Sequence, residues 1–121
     1  ASDFGDRTGV QMDLQIAEPR RAISNDSGAQ ILRIAQEAFN NIEQHAGAKR
    51  VSVSLESKVD NLVLSISDDG RGFSETEVSD ERFGLTGMRE RAEMIGGVFK
   101  VESQIGQGTK VSLSLPWRSV E

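Results

Sequence analysis

Asp68-Asp69-Gly70-Arg71-Gly72 sets two carboxylates ahead of two closely spaced glycines. A carboxylate accepts a hydrogen bond from the exocyclic amine of a purine, and glycine lets backbone lie against a flat ring. The same five residues also make an ordinary Asp-Gly turn. Upstream, Glu37 and Asn41 are one helical turn apart and share a face, which Gln44 and His45 extend. Asn41 offers the neutral oxygen that Mg²⁺ accepts beside waters and phosphates, and Glu37 offers a group to orient or deprotonate a nucleophile. A solvated face of an amphipathic helix accounts for the pair as well. Against that, Asn40-Asn41 in mid-helix costs propensity without structural return.

Downstream, Gly84-Leu85-Thr86-Gly87-Met88 stands where a loop turns into a helix, so its backbone N–H groups suit a phosphate. The plainer alternative is a helix start after a flexible loop. Arg89 and Arg91 offer positive charge to the same site or, alternating with Glu90 and Glu93, simply form helix-surface pairs. Gly106-Gln107-Gly108-Thr109 reads either as a hairpin turn or as backbone closing on a nucleotide, with the Thr109 hydroxyl beside the Asp68 carboxylate.

These groups need a scaffold. Val10, Met12, Leu14 and Ile16 alternate with polar residues, the pattern of a strand with one buried face, ended by Glu18-Pro19-Arg20. Residues 24–28 carry helix-start types, and Ile31, Ile34, Ala35, Ala38 and Ile42 recur at helical spacing until Ala46-Gly47. Val51, Val53 and Leu55, then Leu62, Leu64 and Ile66, predict a hairpin. Residues 74–82 have no apolar period. Leu85, Met88, Ala92 and Ile95 mark a second helix, capped by Gly96-Gly97. Residues 98–103 and 109–115 predict a last hairpin, stopped by Pro116. Hairpins exclude a doubly wound parallel sheet. One mixed sheet with helices on one face is the economical solution, its other face carrying Ser and Lys to solvent.

The chain has 121 residues, enough for one domain with one core. A net charge of −5 argues against general nucleic-acid binding. No apolar run approaches membrane-spanning length, and no signal-peptide pattern opens the chain. With no Cys, disulfide scaffolds and thiolate zinc sites are excluded.

In order along the chain stand Glu37-x-x-x-Asn41, Asp68-x-Gly70-x-Gly72, Gly84-Leu85-x-x-Met88-x-Glu90-Arg91 and Gly106-x-Gly108-Thr109. Four ordered patterns are far more specific than one. The set resembles the Bergerat-fold ATPases, which include type II topoisomerases, heat-shock chaperones, sensor histidine kinases and mismatch-repair ATPases. Within these the chain is similar to the catalytic ATP-binding domain of bacterial sensor histidine kinases. Gln36 to Asn41, the short loop before Gly84, and Gly84 to Arg91 point to the nitrate/nitrite-sensor-like class.

The resemblance implies an α+β fold, a two-layer sandwich of the Bergerat type with a mixed sheet covered on one face by helices. Residues 1–8 would be a linker, 9–118 the ATP-binding domain and 119–121 a tail. ATP and Mg²⁺ are the implied cofactors. Asn41 would hold the Mg²⁺ that bridges the phosphates, and Glu37 would be the catalytic residue that activates or orients the nucleophile. Asp68 would take the adenine amine, with Gly70, Gly72, Gly108 and Thr109 around the base. Gly84, Leu85, Gly87 and Met88 would form the phosphate side, and residues 74–83 a short lid. Relatives often carry Lys where this chain has Gln44, which leaves His45 as a hydrogen-bond donor on that turn.

The family's phosphoacceptor His sits on a separate dimerising helical hairpin, and these residues contain no such hairpin. His45 is the only His, and its place in the Asn motif makes it a poor acceptor. The chain therefore reads as a fragment of a longer kinase, monomeric in isolation and cytoplasmic, with a parent that can be membrane-anchored. Its expected partners are the parent's hairpin and a response regulator, with no nucleic acid bound by the chain itself. Two rivals share the fold: a stand-alone anti-sigma-type serine kinase, and a nucleotide-free interaction domain.

Overall fold

Ser24 sets where the first helix begins. Its extended backbone precedes helix α1 (Asn25–Asn41), and its side chain accepts from the Ser27 N–H at 3.2 Å, with Asp26 favouring the positive end of the first turn. Structure is described for residues 10–17, 21–74 and 84–120 in a computed structural model. Strand β1 (Gln11–Ile16) precedes α1, and β2 (Arg50–Ser57) and β3 (Asn61–Asp68) follow as the expected hairpin. Helix α2 (Leu85–Met94), strands β4 (Val98–Gln104) and β5 (Gly108–Pro116), and a one-turn helix α3 (Trp117–Val120) complete the chain.

The sheet order is β1-β2-β3-β5-β4, with β1 parallel to β2 and every other pair antiparallel. One mixed sheet thus carries both hairpins side by side. Its inner positions, Val51, Val53, Leu62, Leu64, Ile66, Val111, Leu113, Leu115 and Phe99, are buried. Against them pack Ile34, Ala38 and Ile42 of the first helical segment and Leu85, Met88 and Ala92 of α2. The other face presents Ser52, Ser54, Ser65, Ser67, Ser112 and Ser114 with Lys100 and Lys110, as the alternation requires.

Helix α2 ends in a full Schellman arrangement. Gly97 N–H donates to Ala92 O at 2.8 Å and Gly96 N–H to Glu93 O at 3.0 Å, with Gly96 at φ +74°. Pro116 is the last residue of β5, yet the chain continues into α3, which the sequence pattern did not signal. There Trp117 is buried, and its indole N–H donates to Lys58 O at 2.8 Å, tying the C-terminus to the β2–β3 turn.

One expectation is corrected. The apolar face of β1 is not buried: Leu14 is 46% and Ile16 56% exposed, while Val10 and Met12 pack only partly against the core. Among the described residues β1 is an edge strand paired with β2, and the core reaches its Val10 and Met12 end but not Leu14 and Ile16. The expected lid falls mostly on residues 75–83, and the expected stop after β1 on 18–20; both lie outside the described residues.

Truncation should separate centre from edge. Ile66→Ala is expected to cost about 2–5 kcal/mol in urea unfolding, and Leu14→Ala less than about 1 kcal/mol.

Candidate functional site

The loop after β3 is held from three sides. Asp69 Oδ1 accepts from the backbone N–H groups of Lys49 and Arg50, each at 2.9 Å, and Asp69 N–H donates to Arg50 O at 3.2 Å. Arg71 N–H donates to Ala46 O at 2.8 Å, and Arg71 O accepts from Gly106 N–H at 2.6 Å. At Gly72, φ is +62° and a Cβ would collide with the Gln104 carbonyl oxygen. Only glycine fits there. The loop is thereby wedged between the end of the first helix and the β4–β5 turn.

That helix end is itself unusual. After Asn41 the chain makes a π turn (Ile42–Ala46) and stops at Gly47 in the left-handed region. A π turn is wider than an α turn and marks functional positions in many proteins. Asn41, Gln44, His45 and Ala46 all line the adjoining cavity. The Gln44 amide donates to Asn40 Oδ1 at 3.0 Å, so its side chain is engaged along the helix surface.

The cavity has a volume of about 320 Å³. Of the residues singled out from sequence, Asn41, His45, Asp68, Gly72, Leu85 and Thr109 line it. Ile66, Val111, Phe73 and Ile105 add apolar wall. Gly70 and Gly108 lie behind that surface, where added Cβ atoms would strike Ala46 and the Asp68 carbonyl. Glu37, Gly84, Gly87 and Met88 line a separate groove of about 350 Å³ together with Arg33, Gln36 and Arg91. The polar stripe of α1 is therefore divided: Asn41 faces the cavity, and Glu37, one turn earlier, faces the groove beside Gly84.

Asp68 is the electrostatic centre of the cavity. Burial pushes its carboxyl above the usual range, and neighbouring Asp69 adds to the rise; the backbone N–H groups of Gly70 and Thr109 pull the other way. Gly70 N–H reaches Asp68 Oδ1 at 2.8 Å. Asp69 behaves oppositely, held low first by the Arg50 N–H and then by that of Lys49. The Thr109 hydroxyl is positioned by Ser103, whose Oγ lies 2.7 Å from it, accepts from Phe73 N–H at 2.9 Å and donates to Gly108 O at 3.1 Å. Among the described residues, no group of three or more His, Cys, Asp or Glu side chains could hold a metal ion.

The pattern of the histidine kinase-, DNA gyrase B- and HSP90-like ATPases matches residues 26–119. The chain belongs to this ATPase family. It is 40% identical over 95 residues to the sensor histidine kinase LiaS of Bacillus subtilis, covering 78% of this chain and 26% of LiaS. It is 31% identical over 113 residues to the signal transduction histidine-protein kinase/phosphatase DegS of Brevibacillus brevis, covering 93% of this chain and 29% of DegS. The chain thus spans a quarter to a third of these relatives. In fold it matches the histidine kinase domain of the Erythrobacter litoralis EL346 blue-light-activated kinase, with a TM-score of 0.78 at 21% identity over 95% of this chain and 56% of that one.

Within this ATPase domain, sequence reasoning missed Asp69, Ser103 and Ile105. Ser103 carried a signal: it follows Phe99 and Val101 in an inward alternation and is a buried hydroxyl among apolar positions. Asp69 carried none beyond its type, because its partners come from the start of β2.

The two aspartates of this ATPase domain should show opposite pH linkage. With a raised folded pKa, Asp68 binds its proton more readily in the native state. Its contribution to stability therefore falls as pH rises through the ordinary carboxyl value, about 3.9, toward the folded one. Asp69, held low, contributes stability above the ordinary value that is lost as pH falls through its folded one. In ligand-free thermal scans, Asp68→Asn should be at least as stable as wild type at pH 7, with the difference closing on acidification. Asp69→Ala should be less stable at pH 7, its deficit shrinking as pH falls.

Proposed function

We propose that this domain binds Mg-ATP and presents the γ-phosphate to a histidine on another domain of a longer sensor kinase. The observation that carries the proposal is convergence: Asn41, His45, Asp68 and Thr109, from three elements, line one cavity of about 320 Å³. That volume lies at the lower end of the range for small-molecule sites, roughly 300–1,000 Å³. Residues 9–118 act in this reading as the ATP-binding unit, with 119–121 as a tail.

At the base end, the Asp68 carboxylate accepts from the Gly70 and Thr109 N–H groups and, with about four lone-pair sites, still has capacity to accept the adenine amine. Guanine presents a carbonyl at that position, and two acceptors repel. Ile66 and Val111 offer apolar surface to the ring. Gly70, Gly72 and Gly108 contribute by absence of a side chain, since each added Cβ would push the loop off its neighbours.

At the phosphate end, helix α2 starts at Gly84 with no side-chain cap, and a helix N-terminus of this kind suits anionic oxygens. Leu85, Gly87 and Met88 belong to that first turn. Asn41 would supply one neutral oxygen toward Mg²⁺, a cation that takes few protein ligands. Mg²⁺, when bound, neutralises charge on the transferring phosphate. His45 donates a hydrogen bond from the next turn. Glu37, in the groove beside Gly84, orients the incoming imidazole as the P–O bond to ADP breaks and the P–N bond forms.

Relatives named as a sensor histidine kinase and a signal transduction histidine-protein kinase/phosphatase support a parent with a dimerising phosphoacceptor hairpin and a response regulator as partner. Among the described residues, no helix is long and apolar enough to cross a membrane.

Calorimetric titration tests the reading. Wild type should bind Mg-ATP, and Asp68→Ala should bind it about 10- to 100-fold more weakly, the value of one hydrogen bond to a charged group. Asn41→Ala should lose affinity in Mg²⁺ and little in a chelator. Equal affinity of wild type and Asp68→Ala would end the adenine assignment.

A further inference from the structure

Ile105 opens the turn between β4 and β5, is 71% exposed, and yet lines the cavity. Single exposed aliphatic residues are common and need no special account. Val59, also at a turn and 84% exposed, lines none of the described cavities. Ile105 differs because its turn is pinned. Gly106 N–H donates to Arg71 O at 2.6 Å, and Gln107 N–H closes the turn on Gln104 O at 3.0 Å. Gly72 and Gly108, each at positive φ, lack the Cβ atoms that would strike the Gln104 and Asp68 carbonyls. The turn is thus locked to the loop that carries Asp68, and Ile105 is held at the cavity rather than free to sweep over solvent.

Resting on the nucleotide reading, we propose that Ile105 is a further substrate-contact residue, which supplies apolar surface to the bound purine from the turn side of the cavity. A carboxylate satisfies only the amine edge of a purine; its ring faces gain by leaving water for aliphatic surface. On the sheet side Ile66 and Val111 provide that surface and are already buried. Ile105 is the large aliphatic side chain of the cavity wall that remains exposed without a ligand, so it is where binding removes the most apolar area from water. Its exposure also separates binding from stability, because truncation leaves no hole in the core.

The test uses the full chain with ATP and ADP in Mg²⁺, by calorimetry, beside thermal scans without ligand. Ile105→Ser is expected to weaken both nucleotides by the same factor, about 3- to 10-fold, as partial burial of one aliphatic side chain implies. Ile105→Leu should stay within about twofold of wild type. Ligand-free Tm should move by less than about 3 °C in either variant. Wild-type affinity in Ile105→Ser would overturn the proposal, as would a loss for ATP that ADP does not share. Failure of wild type to bind either nucleotide would overturn the nucleotide reading and this inference with it.

Discussion

The site depends on a charged residue being carried into a cavity by a loop too short to adjust. Asp68 closes β3, and four residues later Gly72 already presses on the β4–β5 turn. Between them the backbone must pass Ala46 at the end of the first helix and still leave the Asp68 carboxyl facing the cavity. Asp69 resolves this by gripping the backbone at the start of β2 with one carboxylate oxygen. Its two hydrogen bonds are charge-assisted and join elements far apart in sequence. Asp68 can then remain partly desolvated without the loop rotating it toward water.

Holding Asp68 there works against stability. Burial disfavours its charged form, and only the N–H groups of Gly70 and Thr109 offset the cost. A neutral residue of the same shape would suit the isolated fold better. The pattern is expected of a group kept for what it binds, since perturbed carboxyls in cavities concentrate at functional positions. Ser103 extends the same logic: it is buried, fully hydrogen-bonded, and joins the loop at Phe73 to the strand that carries Thr109. Sheet, loop and turn are fastened to one another around Asp68, so that end of the cavity is preorganised.

Much of this was legible in the sequence because it depends on local pattern. Strict alternation in residues 51–55 and 62–66 located both strands of the first hairpin, and Ser24 and Gly96-Gly97 marked helix ends through capping chemistry alone. The grouping of Asn41 and Asp68 came from ordered motifs and the family they resemble. What stayed hidden depends on tertiary neighbours. The alternation in β1 looked buried because pattern cannot tell an edge strand from a central one. The partners of Asp69 are remote, and Ile105 at a turn apex resembles any stray surface aliphatic. The π turn leaves no compositional trace at all.

One helix face serves two compartments. In a regular α-helix, Glu37, Asn41 and His45 would stack at four-residue spacing on one face. Glu37 and Asn41 both precede the π turn and keep that spacing, so the two compartments lie one turn apart along the helix, and the wider turn affects only the residues beyond Asn41. Asn41, at the junction, faces the cavity with Gln44 and His45, while Glu37 faces the groove beside the start of α2. The Asp68 end is thus bonded into the sheet, and the other end is built from a helix start without a side-chain cap and the Glu37 carboxylate. Such a division suits a reaction in which the base stays seated while a second reactant must reach the terminal phosphate from outside. In the proposed reading the rigid half would select the nucleotide, and the open half would leave room for the group that takes the phosphate.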